Sequence, residues 1–146
     1  MDVKIKKLRE DAIIPTYSTA SSAGCDLYAM LDDNERVILP HHTLKIRTGI
    51  AMEIPDYCVG LVYARSGLAT KHGIRLANSV GVIDNDYRGE IMVVLRNDSN
   101  EPYAIQNHER VAQLVITPYL QVNFNETDEL TTTARGNGGF GSTGKN

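Results

Sequence analysis

With 146 residues, 42% of them hydrophobic, the chain has material for one domain around a single apolar core. A formal net charge of -3 argues against a general nucleic-acid or membrane-surface binder, which presents a basic face, and no apolar run approaches the roughly 20 residues a membrane helix needs. Cys25 and Cys58 lack CxxC spacing and MDVKIKKLREDAIIP lacks a signal peptide's apolar core, so packing thiols and a cytoplasmic, reducing setting are expected.

Along the chain, AGCDLYA first sets Asp26 among small and apolar neighbours, where a structural carboxylate is the plainer reading. His41 and His42 are adjacent, so on a strand they point to opposite faces and make a poor metal pair. In HTLKIRTGIAMEIP, Leu44, Ile46, Thr48, Ile50, Met52 and Ile54 alternate with Lys45, Arg47, Gly49, Ala51 and Glu53. That period of two predicts a strand with one buried face. Short apolar runs at 59–63, 91–95 and 111–116, separated by IPDY, DNDYRG, RNDSNEP and QNHE, predict further strands. Helical period is confined to RSGLATKHG, where Ser66 is placed to cap a short helix and Arg65 beside it offers a fork for an anion. In VGVIDNDYRGEI, Val80, Val82 and Ile83 run into an acidic, aromatic tip and back into an apolar strand, which predicts a hairpin. An ordinary solvated turn explains the tip, yet Asp84 abuts the apolar run, where partial desolvation suits a general base. ERVAQLVI carries Arg110 and Gln113 on a predicted strand, and the polar NETDELTTTA leads to RGNGGFGSTGKN. Many short strands at this length predict a sandwich or jelly roll.

Gly136, Gly138 and Gly141 match G-x-G-x-x-G, but that fingerprint works only between a strand and a helix, and too few residues follow. A P-loop reading fails too, because Ser142 stands where its lysine belongs. The mechanism beneath both motifs survives. Glycines let backbone N–H groups approach phosphate oxygens, Arg135, Ser142 and Thr143 add donors, and Phe140 offers a ring to stack on a flat base.

Taken together and in this order, AGCDLYA, RSGLA, GVIDNDYRG, RVAQL and RGNGGFGSTG resemble the five motifs of the trimeric deoxyuridine triphosphatases (dUTPases), over residues 23–144. The resemblance implies an all-β fold, a β-clip or jelly-roll type barrel over residues 1–134 with a flexible, glycine-rich lid arm at 135–146, assembled as a homotrimer with three active sites. It implies hydrolysis of dUTP to dUMP and pyrophosphate with Mg2+, which limits uracil in DNA and supplies dUMP for dTMP synthesis. The family's catalytic aspartate falls on Asp84, the base for a water that attacks the α-phosphorus. Arg65, Ser66 and Gly67 hold the triphosphate, Gln113 orders phosphate or water, and Asp26 reaches Mg2+ through water. Backbone groups at Gly81, Val82, Ile83, Asp84 and Met92, with Asn78, read the uracil, and Tyr87 packs on the deoxyribose. Phe140 stacks on the base while Arg135, Gly141, Ser142 and Thr143 cover the phosphates. Ala64 stands where many members have proline, so the backbone before Arg65 is less rigidly fixed. Neither nucleic acid nor membrane is an expected partner. A dCTP deaminase of the same fold, or a nucleotide-sensing, regulator-binding homologue without turnover, is the competing reading.

Overall fold

The computed structural model describes residues 1–139. Within them run β1 (Lys4–Lys7), β2 (Thr16–Tyr17), β3 (Cys25–Tyr28), β4 (Glu35–Ile38), β5 (Thr43–Arg47), β6 (Ile50–Glu53), β7 (Cys58–Ala64), α1 (Ser66–His72), β8 (Ile74–Leu76), β9 (Gly81–Ile83), β10 (Met92–Asn97), β11 (Tyr103–Gln106) and β12 (Arg110–Pro118). The fold is all-β with one short helix, as the sequence predicts. Among the described residues the strands divide over a five-stranded sheet (β2-β3-β12-β7-β9), a three-stranded sheet (β5-β10-β8) and two pairs (β1-β6 and β11-β4), without closing into one hydrogen-bonded barrel.

The five-stranded sheet organises the molecule. In β12, Leu114 lies opposite Cys25 of β3 and Val62 of β7, and all three are buried. The next row, Asp26, Gln113 and Tyr63, is one residue out of phase and therefore faces the other way. One row builds core and its neighbour builds a surface cleft. Cys25 is an inert packing group: its thiol donates to the Leu114 carbonyl at 3.4 Å, and burial pushes its pKa up.

Three predicted details change. The alternating stretch from Leu44 to Ile54 is two strands, β5 paired with β10 and β6 paired with β1, because Gly49 between them adopts a left-handed φ of 69°. A Cβ on Gly49 would stand 2.8 Å from the Ala12 Cβ and 3.0 Å from the Met30 Cγ. Ile46, Thr48, Ile50, Met52 and Ile54 are buried, but Gly49 and Ala51 are buried with them, so at the turn the period of two gives way to a continuous buried run from Thr48 to Met52. Gly49→Ala combines backbone strain with a core clash, and a loss of about 2–3 kcal/mol is expected from the urea midpoint at unchanged m-value.

Second, Ser66 is the first helical residue rather than the cap; extended Arg65 precedes it and no side chain caps α1, which ends on Gly73 at φ 67°. Third, the predicted hairpin does not form. β9 pairs with β7 and β10 with β5 and β8, so the chain between them bridges two sheets. Beyond β12, residues 119–139 lie outside any strand and are almost wholly exposed, with Leu120 91% and Phe124 94% accessible.

Candidate active site

Residues far apart in sequence meet at the C-terminal end of β7. Asp26 of β3 and Gln113 of β12 share a row, Arg65 leaves the end of β7, and Ser66 and Gly67 open α1. With Ser18, Gly24 and Tyr63 they line an open cleft of about 610 Å³.

Asp26 is the electrostatic pivot of the cleft. Its side chain is only 10% exposed, and Arg65 Nε donates to Oδ1 at 2.9 Å while Arg110 Nη1 donates to Oδ2 at 3.2 Å. Ser18 Oγ adds a bond to Oδ2 at 3.2 Å. Two guanidinium charges against one carboxylate leave a local excess of positive charge facing the cavity, an anion site. Arg65 is held further by Nη1 donating to the Arg110 carbonyl at 3.4 Å, and its remaining N–H donors have no partner among the described residues.

The other walls are as specific. Gln113 Nε2 donates to the Ala64 carbonyl at 3.0 Å, which turns Oε1 toward Gly24. Among the described residues a Cβ on Gly67 would meet no atom within 4 Å, so their packing does not require glycine there, and its absence leaves bare backbone on the cleft wall.

The sequence marks Arg110 beside Gln113 but assigns it no role, and it does not mark Tyr63 at all. Arg110 lies three positions before Gln113, which in a regular strand places the two on opposite faces. The register between β12 and β3 shifts between Arg110 and Ala112, so Arg110 pairs with Tyr28 and falls on Asp26's face. Such a bulge leaves no sequence mark.

The remaining residues lie elsewhere. Gly81, Val82 and Ile83 form β9, the edge of the five-stranded sheet, with Asn78 before it and Asp84 directly after. Contrary to the sequence expectation, Asp84 is exposed: no second strand closes a hairpin over it, and among the described residues nothing covers its carboxylate. Tyr87 N–H donates to the Asp84 carbonyl at 3.2 Å and Tyr87 Oη to the Glu90 carbonyl at 3.1 Å, giving the loop a defined turn. Asn85 Nδ2 ties that turn to Asp56 Oδ1 at 3.3 Å, while Met92 opens β10 beside it with an exposed side chain. Arg135 lies in the exposed segment after β12; Phe140, Gly141, Ser142 and Thr143 lie outside the described residues.

Register fixes how far apart the two groups are. Ile83 sits opposite Gly60, β9 runs antiparallel to β7, and Arg65 follows the far end of β7. At a strand's rise per residue, Asp84 and Arg65 are roughly 20 Å apart. One chain therefore carries an anion cleft and a carboxylate loop at opposite ends of the same strand.

No three His, Cys, Asp or Glu side chains converge on a metal-sized site among the described residues. A magnesium ion that keeps its waters and binds substrate phosphates needs no such cluster. Asp26 fits that arrangement, because Oδ1 accepts one hydrogen bond here and retains an acceptor position for a metal-bound water.

Fold and site thus define an all-β protein with an anion-binding cleft and a separate acidic loop. The family model described as dUTPase matches residues 10–144, and the chain belongs to the dUTPase family. The deoxyuridine 5'-triphosphate nucleotidohydrolase of Nautilia profundicola is 50% identical over 145 residues, covering 99% of this chain and 100% of that protein. The dUTPase of Staphylococcus bacteriophage 80alpha, solved with dUPNHPP, superposes with a TM-score of 0.88 at 27% identity over 98% of both chains. A mutant dUTPase of phage phi11 of S. aureus, solved with a structural Mg(II) ion, shares the fold with a TM-score of 0.81 at 23% identity, over 90% of this chain and 100% of that one.

Proposed function

We propose that the chain hydrolyses dUTP to dUMP and pyrophosphate in a homotrimer, with the cleft of one copy holding the triphosphate and Asp84 of a neighbouring copy activating the water. The separation of Asp84 from Arg65 along β7 carries this reading, since no single copy brings the base to phosphates held in its own cleft. The exposed alternation of Leu120, Val122 and Phe124 after β12 supports an arm that leaves its own chain, because such a pattern suits one face of a strand laid on another surface.

Asp84 takes a proton from water as the water oxygen bonds to the α-phosphorus, and the bond to the α,β-bridging oxygen breaks to release pyrophosphate. Arg65, Ser66 Oγ and the Gly67 backbone hold the phosphates in line, and Gln113 Oε1 orders the phosphate or the water. When bound with the nucleotide, Mg2+ supplies charge neutralisation on the phosphates, and Asp26 is the residue that would hold it, through water. Docking against a neighbour also supplies what the isolated chain lacks, a less solvated setting for Asp84.

Selectivity resides at β9. An edge strand turns alternate N–H and C=O groups outward, so Gly81, Val82, Ile83 and Asp84, with Met92 and Asn78, offer a pattern that uracil matches. Cytosine reverses the pattern at position 4 and leaves buried groups unpaired. The Tyr87 ring packs on the deoxyribose and crowds out a 2′-hydroxyl.

Residues 1–134 form the body and 135–146 the lid, in which Phe140 stacks on the base while Arg135, Gly141, Ser142 and Thr143 cover the phosphates. The product dUMP feeds dTMP synthesis, and removal of dUTP limits uracil in DNA. Among the described residues no helix is long and apolar enough to cross a membrane; we assign the activity to the cytoplasm, where this substrate is made and used.

The test is pyrophosphate release with Mg2+ from dUTP, dCTP, dTTP and UTP, for the full chain and for one truncated before Arg135. Release from dUTP alone, strongly lowered by truncation, is the expected result. Binding of dUTP without release, or ammonia from dCTP, contradicts the reading.

A further inference from the structure

We infer that Glu90 is a positioning residue for Tyr87 and, through it, sets how strongly deoxyribose is preferred over ribose; this rests on the reading of Tyr87 as the sugar contact. Glu90 closes the loop that begins at Asp84. Its side chain is only 11% exposed, unusual for a glutamate in a connecting segment. Arg47 Nε donates to Oε2 at 2.9 Å and to Oε1 at 3.2 Å, and the Gly49 N–H donates to Oε1 at 2.8 Å. Both partners belong to β5 and the turn after it, which left-handed Gly49 fixes against Ala12 and Met30.

The backbone on the far side is equally constrained. Ile91 is buried, its N–H donates to the Ile50 carbonyl at 2.9 Å, and its carbonyl accepts Thr48 Oγ1 at 2.5 Å. Glu90 is thus pinned through its side chain and through the next residue. Its own carbonyl accepts the Tyr87 hydroxyl at 3.1 Å. The ring meanwhile lies against Gly89, where a Cβ would stand 2.3 Å from the hydroxyl oxygen and 2.5 Å from Cζ. Tyr87 is held from beneath by the Gly89 backbone and at its tip by the Glu90 carbonyl, and neither residue belongs to the nucleotide-contacting groups proposed above.

The hydroxyl bond is what a displaced Glu90 gives up. Without its carboxylate, Arg47 and the Gly49 N–H lose their acceptor, the loop end shifts, and the ring is no longer fixed at the height that excludes a 2′-hydroxyl. The loss falls on discrimination first, because Asp84 and the phosphate cleft are untouched.

The experiment compares kcat/KM for dUTP and UTP in the full-length protein, a ratio from which the amount of folded enzyme cancels. Glu90→Ala is expected to lower the dUTP-to-UTP preference about tenfold, the equivalent of about 1.4 kcal/mol. That change is to appear mainly as a lower KM for UTP. Glu90→Gln, which keeps an acceptor for Gly49, is expected to retain most of the preference. Tyr87→Phe removes the hydroxyl bond from the other side, and the double variant Tyr87→Phe/Glu90→Ala is expected to be no worse than the poorer single variant. Loss of kcat on both nucleotides with an unchanged ratio marks Glu90 as merely structural and overturns the inference. If Tyr87→Ala collapses the ratio and Glu90→Ala does not, this inference alone fails; if Tyr87→Ala leaves the ratio intact, the sugar contact itself was misassigned.

Discussion

Asp84→Asn is expected to lower dUTP turnover about 10³-fold while leaving nucleotide affinity close to that of the parent, because a general base contributes to the transition state rather than to ground-state binding. Asparagine preserves the shape of the loop: the bond from Tyr87 N–H reaches the residue 84 carbonyl, which the substitution does not touch. What it removes is the acceptor for the water's proton. Single-turnover pyrophosphate release together with equilibrium binding of a non-hydrolysable analogue separates the two quantities. Near-normal turnover assigns the base elsewhere, and a parallel loss of affinity assigns Asp84 to binding.

Asp26→Ala is expected to damage both fold and activity. The carboxylate compensates Arg65 and Arg110 together, and its removal leaves two neighbouring guanidinium groups without their shared counter-charge. Both arginines are partly exposed and regain water, so the stability cost is about 1–3 kcal/mol rather than that of a fully buried charge. Activity suffers more, because Arg65 loses the contact that aims it, and misplacement of a phosphate-holding group is expected to cost about 10²-fold in kcat/KM. Asp26→Asn keeps the shape and one acceptor oxygen and should fall between. The Mg2+ concentration that half-saturates activity separates the two functions of Asp26: it rises if Asp26 holds the ion through water and stays fixed if its work is confined to the arginines. Unchanged stability and unchanged kcat/KM contradict the pivot.

What the sequence conveyed well were properties carried by neighbouring residues. The alternation that starts at Leu44 announced β5 and its buried face, and RSGLATKHG announced the helix. It did not announce the turn inside the alternation, because Gly49 occupies a position where any small or polar residue satisfies the pattern, and neither its left-handed φ nor the Ala12 and Met30 side chains that fill the space of a Cβ is a local property. The same limit explains the missing hairpin. Two apolar runs around a DNDYRG tip look alike whether they pair with each other or with strands of two different sheets. At the site, residue identity was legible and partnership was not: Asp26 and Gln113 become lateral neighbours only through the register of β3 on β12, and Arg110 joins them only through a bulge. The distance from Asp84 to the cleft depends on how β9 pairs with β7, which no local pattern encodes.

The division of the site between copies is tested most directly by mixing two disabled chains. Arg65→Ala lacks the phosphate cleft and Asp84→Asn lacks the base, and each alone is expected to be nearly inactive. When equal amounts are unfolded together and refolded, random trimers place an intact cleft beside an intact Asp84 in one arrangement of four, so about a quarter of the parent turnover should return. Recovery to that level establishes that the two groups act across an interface. If the mixture stays as inactive as its components although mixed trimers form, the base and the cleft belong to one chain and the account is wrong.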